Sequence, residues 1–178
     1  MMQKLVTLFL LALTQGAPGQ GKNEELISWN ENQKLSWADY KGKPKENSDA
    51  AASTATYLGF EFNVGKNGFD YKITCTFSKT KSWGLHKTDY ILTHEQGHFD
   101  IAEIFARKLN KKMREYKFDK GSFKDDLKII YQSIALEKDA FQNQYDDETN
   151  HSIKKEKQAE WLKKISDLLN EFANFSDY

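Results

Sequence analysis

Hydrophobic and polar positions alternate most regularly between residues 54 and 78. Over residues 69–78 every odd position is apolar and every even position is polar. Strict alternation over ten residues is typical of a half-buried β-strand. The run 54–64 also alternates, and the glycine-containing segment 65–68 joins the two runs. The pattern therefore predicts an antiparallel hairpin. The residues predicted to face the core from its second strand are Phe69, Tyr71, Ile73, Cys75 and Phe77.

Apolar residues then recur at helical spacing between residues 91 and 113. This periodicity predicts a long helix that begins near Thr88 or Asp89, either of which is a suitable N-cap, and ends near Lys117. Its apolar stripe also carries His94 and His98.

Two further helices are predicted after this one. The first begins at Ser122, where Asp125 three residues later resembles a capping box. The polar stretch 145–151 is expected to be a loop, and a final helix is expected at about residues 152–173. A small antiparallel sheet followed by three helices is an α+β arrangement.

The first 19 residues have the pattern of a secretory signal. Lys4 precedes an apolar run at residues 5–13, which is shorter than the roughly 20 residues of a membrane span. Small residues at 17–19 suit cleavage before Gln20. We therefore expect a signal peptide at 1–19 and a single domain at 20–178, exported to the periplasm or secreted, with no membrane anchor. A retained interfacial helix is the alternative.

Charge and cysteine content narrow the possible partners. The chain has 26 basic and 26 acidic residues, and this balance gives no support for a nucleic-acid partner. Cys75 is the only cysteine, so no intrachain disulfide can form, and its place on the apolar face predicts a buried thiol. An exported domain of this kind is held by packing and by any metal it binds.

Residues 94–98 read His-Glu-Gln-Gly-His. On a helix, residues i and i+4 lie about 40° apart around the axis and about 6 Å apart along it, so both imidazoles can reach one zinc ion. Glu95 would lie beside the metal, where a base for an attacking water belongs. Gly97 costs roughly 1 kcal/mol in a helix interior, which suggests that something approaches the helix closely there. The alternative is a pair of hydrogen-bonded histidines on a packed helix.

A catalytic zinc usually has three protein ligands and a water. Asp100 and Glu103 point away from His94 and His98 on a regular helix. The remaining histidines are His86, which precedes the helix, and His151, which lies in the polar stretch downstream. The chemistry favours His151 and leaves His86 open.

Several runs of this sequence resemble an uncharacterised bacterial family of exported domains, described as zinc-dependent proteases on the strength of their motif. The runs are 94–103 and 106–109, the Leu-x-Trp-x-Asp-Tyr element at 35–40, the Ser-Trp pair at 82–83, and the Tyr-Asp-x-x-Thr-x-His element at 145–151. The resemblance covers nearly the whole of 20–178. One departure is Ser152, because the family often has glycine after the downstream histidine.

The resemblance implies a zincin-like fold in which the first helix carries the metal motif, and it supports His151 as the third zinc ligand. The expected function is hydrolysis of peptide bonds in a peptide or protein substrate, with Glu95 as general base. Tyr145 is expected either to donate to the developing oxyanion or to be a core tyrosine. Asp146 and Asp147 are expected either to orient a ligand imidazole or to be solvated turn residues.

Two other classes stay open at this point. One is an exported binding module, or an inactive protease relative, whose zinc is structural and which does not need Glu95. The other is an interaction domain without metal, in which the motif is accidental. Metal content distinguishes the interaction domain without metal from the other two classes. Turnover after a change of Glu95 distinguishes the enzyme from the binding module or inactive relative.

Overall fold

The computed structural model describes residues 24–44, 48, 50–65 and 68–178. The expected signal peptide at 1–19 lies outside these residues. The described part is α+β, with a three-stranded antiparallel sheet. Its strands are β1 (Leu26–Ser28), β3 (Thr56–Gly65) and β4 (Gly68–Ser78), and their order in the sheet is β1-β4-β3. A second, two-stranded sheet pairs β2 (Ala52–Ser53) with β5 (Trp83–Gly84).

The predicted hairpin is confirmed as β3 and β4, which pair from Thr56↔Phe77 to Gly65↔Gly68. Ile73, Cys75 and Phe77 are buried, whereas Phe69 and Tyr71 are only half-buried. The alternation therefore gives the correct face, but the end of the hairpin near its turn projects beyond the core. The shared face of the strands packs against the first helix.

Helix α1 (Asp89–Glu115) lies close to its predicted bounds and is the centre of the domain. The Thr88 hydroxyl accepts a hydrogen bond from the Ile91 main-chain N–H, as an N-cap should. The helix packs against β3, β4 and both other helices. Its middle turns are almost completely buried, so the residues they carry are fixed by packing on several sides.

Helices α2 (Phe123–Thr149) and α3 (Lys155–Glu171) complete the core. Ser122 is the N-cap of α2, but the predicted capping box is wrong, because its hydroxyl donates instead to Asp126 four residues later. The loop predicted at 145–151 is also wrong over its first five residues, which belong to α2. Their polar side chains lie on a helix because one face of that turn, with Tyr145 and Thr149, is fully buried.

None of the helices among the described residues combines enough length with enough apolar character to cross a membrane.

Candidate metal centre

Two imidazoles of α1 and one carboxylate of α2 meet at the wall of a cleft. His94 Nε2 and His98 Nε2 each lie 3.1 Å from Asp146 Oδ1. Among the described residues, these three form a group whose ligand atoms all lie within 4.8 Å of one another. His94 is 3% exposed, whereas the side chains of His98 and Asp146 are partly exposed. The group could hold a metal ion.

Gln142 determines which nitrogen of His98 carries the proton. Its amide N–H donates to the main-chain oxygen of His98 over 2.8 Å, so its amide oxygen is the atom that faces His98 Nδ1. An amide oxygen only accepts hydrogen bonds, so Nδ1 must be the protonated nitrogen. The Nε2 atom of a neutral His98 therefore presents a lone pair to Asp146.

Asp146 Oδ1 is itself an acceptor, so two acceptors face each other at 3.1 Å. This contact is favourable only when a cation, either a proton or a metal ion, lies between them. Burial lowers the pKa of His98, but the adjacent Asp146 carboxylate more than offsets this effect and raises the pKa above its usual value. Burial raises the pKa of Asp146, but the adjacent side chains of His94 and His98 hold it well below its usual range. The pair therefore attracts a positive charge.

Tyr145 orients both imidazoles from behind. Its ring stacks on His94 with a centroid distance of 4.5 Å and meets His98 edge-on at 5.0 Å. A Cβ atom at Gly97 would lie 2.6 Å from the Tyr145 hydroxyl oxygen and 3.0 Å from its ring carbon Cζ. The glycine is therefore the position at which α2 approaches α1, as the sequence suggested.

The expected role of Tyr145 as an oxyanion donor needs correction. Its side chain is completely buried, and its hydroxyl already donates to the main-chain oxygen of His94 over 3.2 Å. A hydroxyl whose proton is engaged inside the core has none to offer a substrate. The structure supports the other interpretation, a core tyrosine that packs against the histidines.

Glu95 lies beside the group and is 5% exposed. Its Oε2 atom accepts a hydrogen bond of 2.5 Å from the Thr54 hydroxyl, which lies between β2 and β3. The carboxylate is therefore held between the helix and the opposite wall of the cleft. Glu95 therefore lies next to the group that could hold a metal ion, and its role as a base stays a prediction.

His151 lies at the rim of the group rather than inside it. Its side chain is 68% exposed, and its Nδ1 atom is 3.5 Å from Asp146 Oδ1. It belongs to three consecutive left-handed residues, Asn150, His151 and Ser152, with φ values of 50°, 51° and 73°. This turn brings the imidazole towards the cleft. His151 as third ligand stays a prediction, and Asp146 is the residue that the structure places against both helix histidines.

The other sequence candidates lie elsewhere. Asp147 is exposed to solvent one position beyond Asp146, which supports its interpretation as a solvated residue. His86 is exposed and is not part of the group. Asp100 and Glu103 are buried away from the group. Asp100 accepts a hydrogen bond from Trp29, and Glu103 accepts one from Arg107.

The Leu-x-Trp-x-Asp-Tyr element wraps around the start of α1. The Leu35 main-chain N–H donates to the Gln96 side chain over 2.8 Å, and Trp37 Nε1 donates to the main-chain oxygen of Thr88 over 3.2 Å. The Tyr40 hydroxyl bonds to Thr54 over 2.8 Å. This element therefore supports the turns of α1 that carry the site.

The group opens into a cleft of about 830 Å³. One wall is formed by residues 50–57 and the opposite wall by α1 and α2. A space of this size next to a group that could hold a metal ion is typical of a small-molecule or peptide site.

Sequence reasoning missed Thr54 and Gln142 as parts of the site. Gln142 lies four residues before Asp146, so the two share one face of α2, and this spacing could have indicated it. Thr54 carried no signal, because its contact with Glu95 spans 41 positions and depends on the tertiary fold.

Together, the fold and the site define a class: an α+β domain in which two helices bring a possible metal-binding group to the wall of a cleft. Residues 32–152 match the family model described as a bacterial protein of unknown function (DUF922), and the chain belongs to this family. The matched region contains every residue of the group as well as Thr54, Glu95 and His151. No curated protein and no solved structure matches the chain.

Proposed function

We propose that this protein is a zinc-dependent hydrolase of peptide bonds, with His94, His98 and Asp146 as metal ligands and Glu95 as general base. The observation that carries the proposal is the pair of acceptors, His98 Nε2 and Asp146 Oδ1, 3.1 Å apart beside a buried glutamate. Such a pair requires a cation, and the cleft gives a substrate access to it.

The donor set fits zinc. Nitrogen and oxygen donors bind zinc at about 2.0–2.2 Å, so two donors on a tetrahedral ion stand roughly 3.3 Å apart. The two 3.1 Å separations between the imidazoles and Asp146 are close to that value. Calcium and magnesium prefer sites made of oxygen atoms, which two imidazoles do not provide. Two histidines with one carboxylate is also a known set for catalytic zinc.

Each residue then has a definite task in hydrolysis. A zinc ion held there would polarise the substrate carbonyl and lower the pKa of a water towards about 7. Glu95 would accept a proton from that water while the water oxygen forms a bond to the carbonyl carbon. When the carbon–nitrogen bond breaks, Glu95 returns the proton to the departing amine. Gln142 and Tyr145 hold the imidazoles in position, as partners behind metal ligands generally do.

A second candidate is a zinc-stabilised binding module, and the position of His151 favours it. Its Nδ1 atom is 3.5 Å from Asp146 Oδ1, close to the roughly 3.3 Å between two donors on one tetrahedral zinc ion, so it is the candidate for a fourth protein ligand. Four protein ligands characterise structural zinc sites, whereas catalytic sites keep one position for water. The proposed enzyme therefore requires that His151 leave that position open.

The test is Glu95→Gln, with hydrolysis of a peptide library and zinc content as readouts. Loss of a general base costs about 10²- to 10⁴-fold in rate, so turnover should fall by that factor while zinc content and folding stay the same. Glu115→Gln, at the exposed end of the same helix, is the matched control and should behave as wild type. Unchanged turnover in Glu95→Gln, or a zinc-loaded wild type that cleaves nothing, would contradict the proposal.

A further inference from the structure

Three side chains form a hydrogen-bonded chain that ends on Glu95. The Thr54 hydroxyl donates to Glu95 Oε2 over 2.5 Å. A threonine hydroxyl has a single proton, and this one is used by the carboxylate. The Tyr40 hydroxyl, 2.8 Å from Thr54 Oγ1, must therefore be the donor in the next bond. The order of donation is Tyr40 to Thr54 to Glu95.

This series of hydrogen bonds begins at Tyr40, in the core. Tyr40 is 5% exposed and packs edge-on against Phe77 with a centroid distance of 5.1 Å. Burial and the nearby Glu95 charge raise the pKa of Tyr40, so the phenol keeps its proton and remains a donor. The Tyr40 ring is therefore a fixed point from which the Thr54 hydroxyl is oriented.

The backbone at Thr54 is fixed as well. The next residue, Ala55, donates its main-chain N–H to the Ser82 hydroxyl over 2.9 Å. Its carbonyl oxygen accepts from the Ser78 main-chain N–H, also over 2.9 Å. Ser78 and Ser82 are both completely buried. Thr54 is thus held by the strand framework rather than by the helix that carries Glu95.

We propose that Thr54 is a positioning residue for Glu95, with Tyr40 orienting its hydroxyl, so that the strand wall of the cleft fixes the carboxylate relative to the helix histidines. This inference rests on the proposed function. A glutamate side chain has three rotatable torsions, and one hydrogen bond from a rigid partner removes most of their freedom. A displacement of about 1 Å in a reacting group can cost about 100-fold in rate.

The catalytic test uses Thr54→Val, which keeps the shape but removes the hydroxyl, and Thr54→Ser, which keeps the hydroxyl. In the zinc-loaded protein, kcat of Thr54→Val should fall about 10- to 100-fold with KM and zinc content unchanged. Thr54→Ser should restore most of kcat, and Tyr40→Phe should lie between the two. Equal kcat in wild type and Thr54→Val, or no rescue by Thr54→Ser, would overturn the proposal.

A second readout does not depend on activity. In the metal-free protein, Thr54→Val should lower the urea midpoint of unfolding in the wild-type background. The shift should be clearly smaller when Glu95→Ala has removed the acceptor, because only the hydrogen bond from Tyr40 to Thr54 is then left to lose. An equal shift in both backgrounds would overturn the assignment of Thr54. A zinc-loaded wild type without turnover but with this coupling would instead refute the proposed function alone.

Discussion

The two faces of helix α1 are both polar and buried, yet they are satisfied in opposite ways. We call the first the packing face, formed by Asp100, Glu103, Arg107 and Asn110. On this face each carboxylate meets a donor. Asp100 accepts from Trp29 Nε1 over 2.8 Å, and Glu103 accepts from Arg107 Nε over 2.8 Å. Arg107 also donates to the main-chain oxygen of Leu169 over 2.7 Å.

We call the second the cleft face, formed by His94, Glu95 and His98. Here the protein brings acceptors together, with His98 Nε2 facing Asp146 Oδ1, and it leaves His94 Nδ1 without a hydrogen-bond partner among the described residues. Such an arrangement is unfavourable for stability alone, because buried polar groups normally find partners.

The carboxylates at the two faces also differ in pKa: Glu103 belongs to the packing face, and Asp146 of α2 lies against the cleft face. Burial raises the pKa of Glu103, and the hydrogen bonds from Tyr178 and Arg107 do not reverse this effect. Burial also acts on Asp146, but its two histidine partners lower its pKa overall. The packing face is closed within the chain, whereas the cleft face retains a negative charge for a cation. The first is therefore structural and the second is suited to chemistry.

The largest effect that separates the faces is expected from Arg107→Met. Removing one partner of a buried ion pair leaves the other uncompensated and typically costs about 3–5 kcal/mol in the free energy of unfolding. Zinc affinity of the folded protein should not change, because Arg107 has no contact with the cleft face. Urea unfolding and a zinc titration measure the two quantities. Lys112→Met, on an exposed position of α1, is the control and should stay within about 0.5 kcal/mol. A loss of zinc affinity in Arg107→Met would show that the faces are coupled.

Gly97→Ala should disturb the cleft face through Tyr145. The new Cβ atom would lie 2.6 Å from a hydroxyl on a fully buried ring, which cannot move easily. Overpacking costs about 1–3 kcal/mol, against roughly 1 kcal/mol gained in helix propensity. We expect a net loss of up to about 2 kcal/mol in stability, and weaker zinc binding because both imidazoles move with the ring.

Gly65→Ala is the matched control, because a Cβ atom there has no neighbour within 4 Å. Thermal unfolding and zinc titration of both variants decide the question. If Gly97→Ala were as stable as Gly65→Ala and bound zinc as tightly as wild type, the close approach of Tyr145 would not matter to the site.

The smallest effect is expected from Ser152→Gly. Ser152 has a φ of 73°, a left-handed conformation that costs a residue with a Cβ atom about 1–2 kcal/mol. Glycine removes this cost but increases the entropy of the unfolded chain, so a net gain of at most about 1 kcal/mol is expected. Ser176 has a φ of −84°, so Ser176→Gly should only destabilise. Unfolding free energies from urea titrations of the two variants should therefore change in opposite directions.

Much of the fold could be predicted from periodicity. The strict alternation at 69–78 gave β4, and the Thr88 N-cap gave the start of α1. The end of α2 could not be predicted in this way, because the side chains at 146–148 are polar. Only the burial of Tyr145 and Thr149 against neighbouring elements keeps that turn helical.

The residues of the site also differ in whether a local sequence pattern indicates them. His94, Glu95 and His98 follow from a local spacing, so the sequence indicates them directly. The contacts of Asp146 with both imidazoles span 52 and 48 positions, and the contact of Thr54 with Glu95 spans 41. A repeating pattern of apolar residues does not encode contacts between residues so far apart in the sequence. The left-handed backbone at residue 152 would suit glycine, which is the residue that the resemblance led us to expect there.

The most direct test of the central claim is a zinc titration of metal-free wild type, Asp146→Asn and His151→Ala. We predict one zinc per chain in wild type. Because partners behind a metal ligand already contribute about 10- to 100-fold in affinity, loss of a ligand in Asp146→Asn should weaken binding more than about 100-fold. His151→Ala should weaken it far less. Absence of zinc binding in wild type would contradict the account. Full affinity in Asp146→Asn together with loss in His151→Ala would make His151 the third ligand.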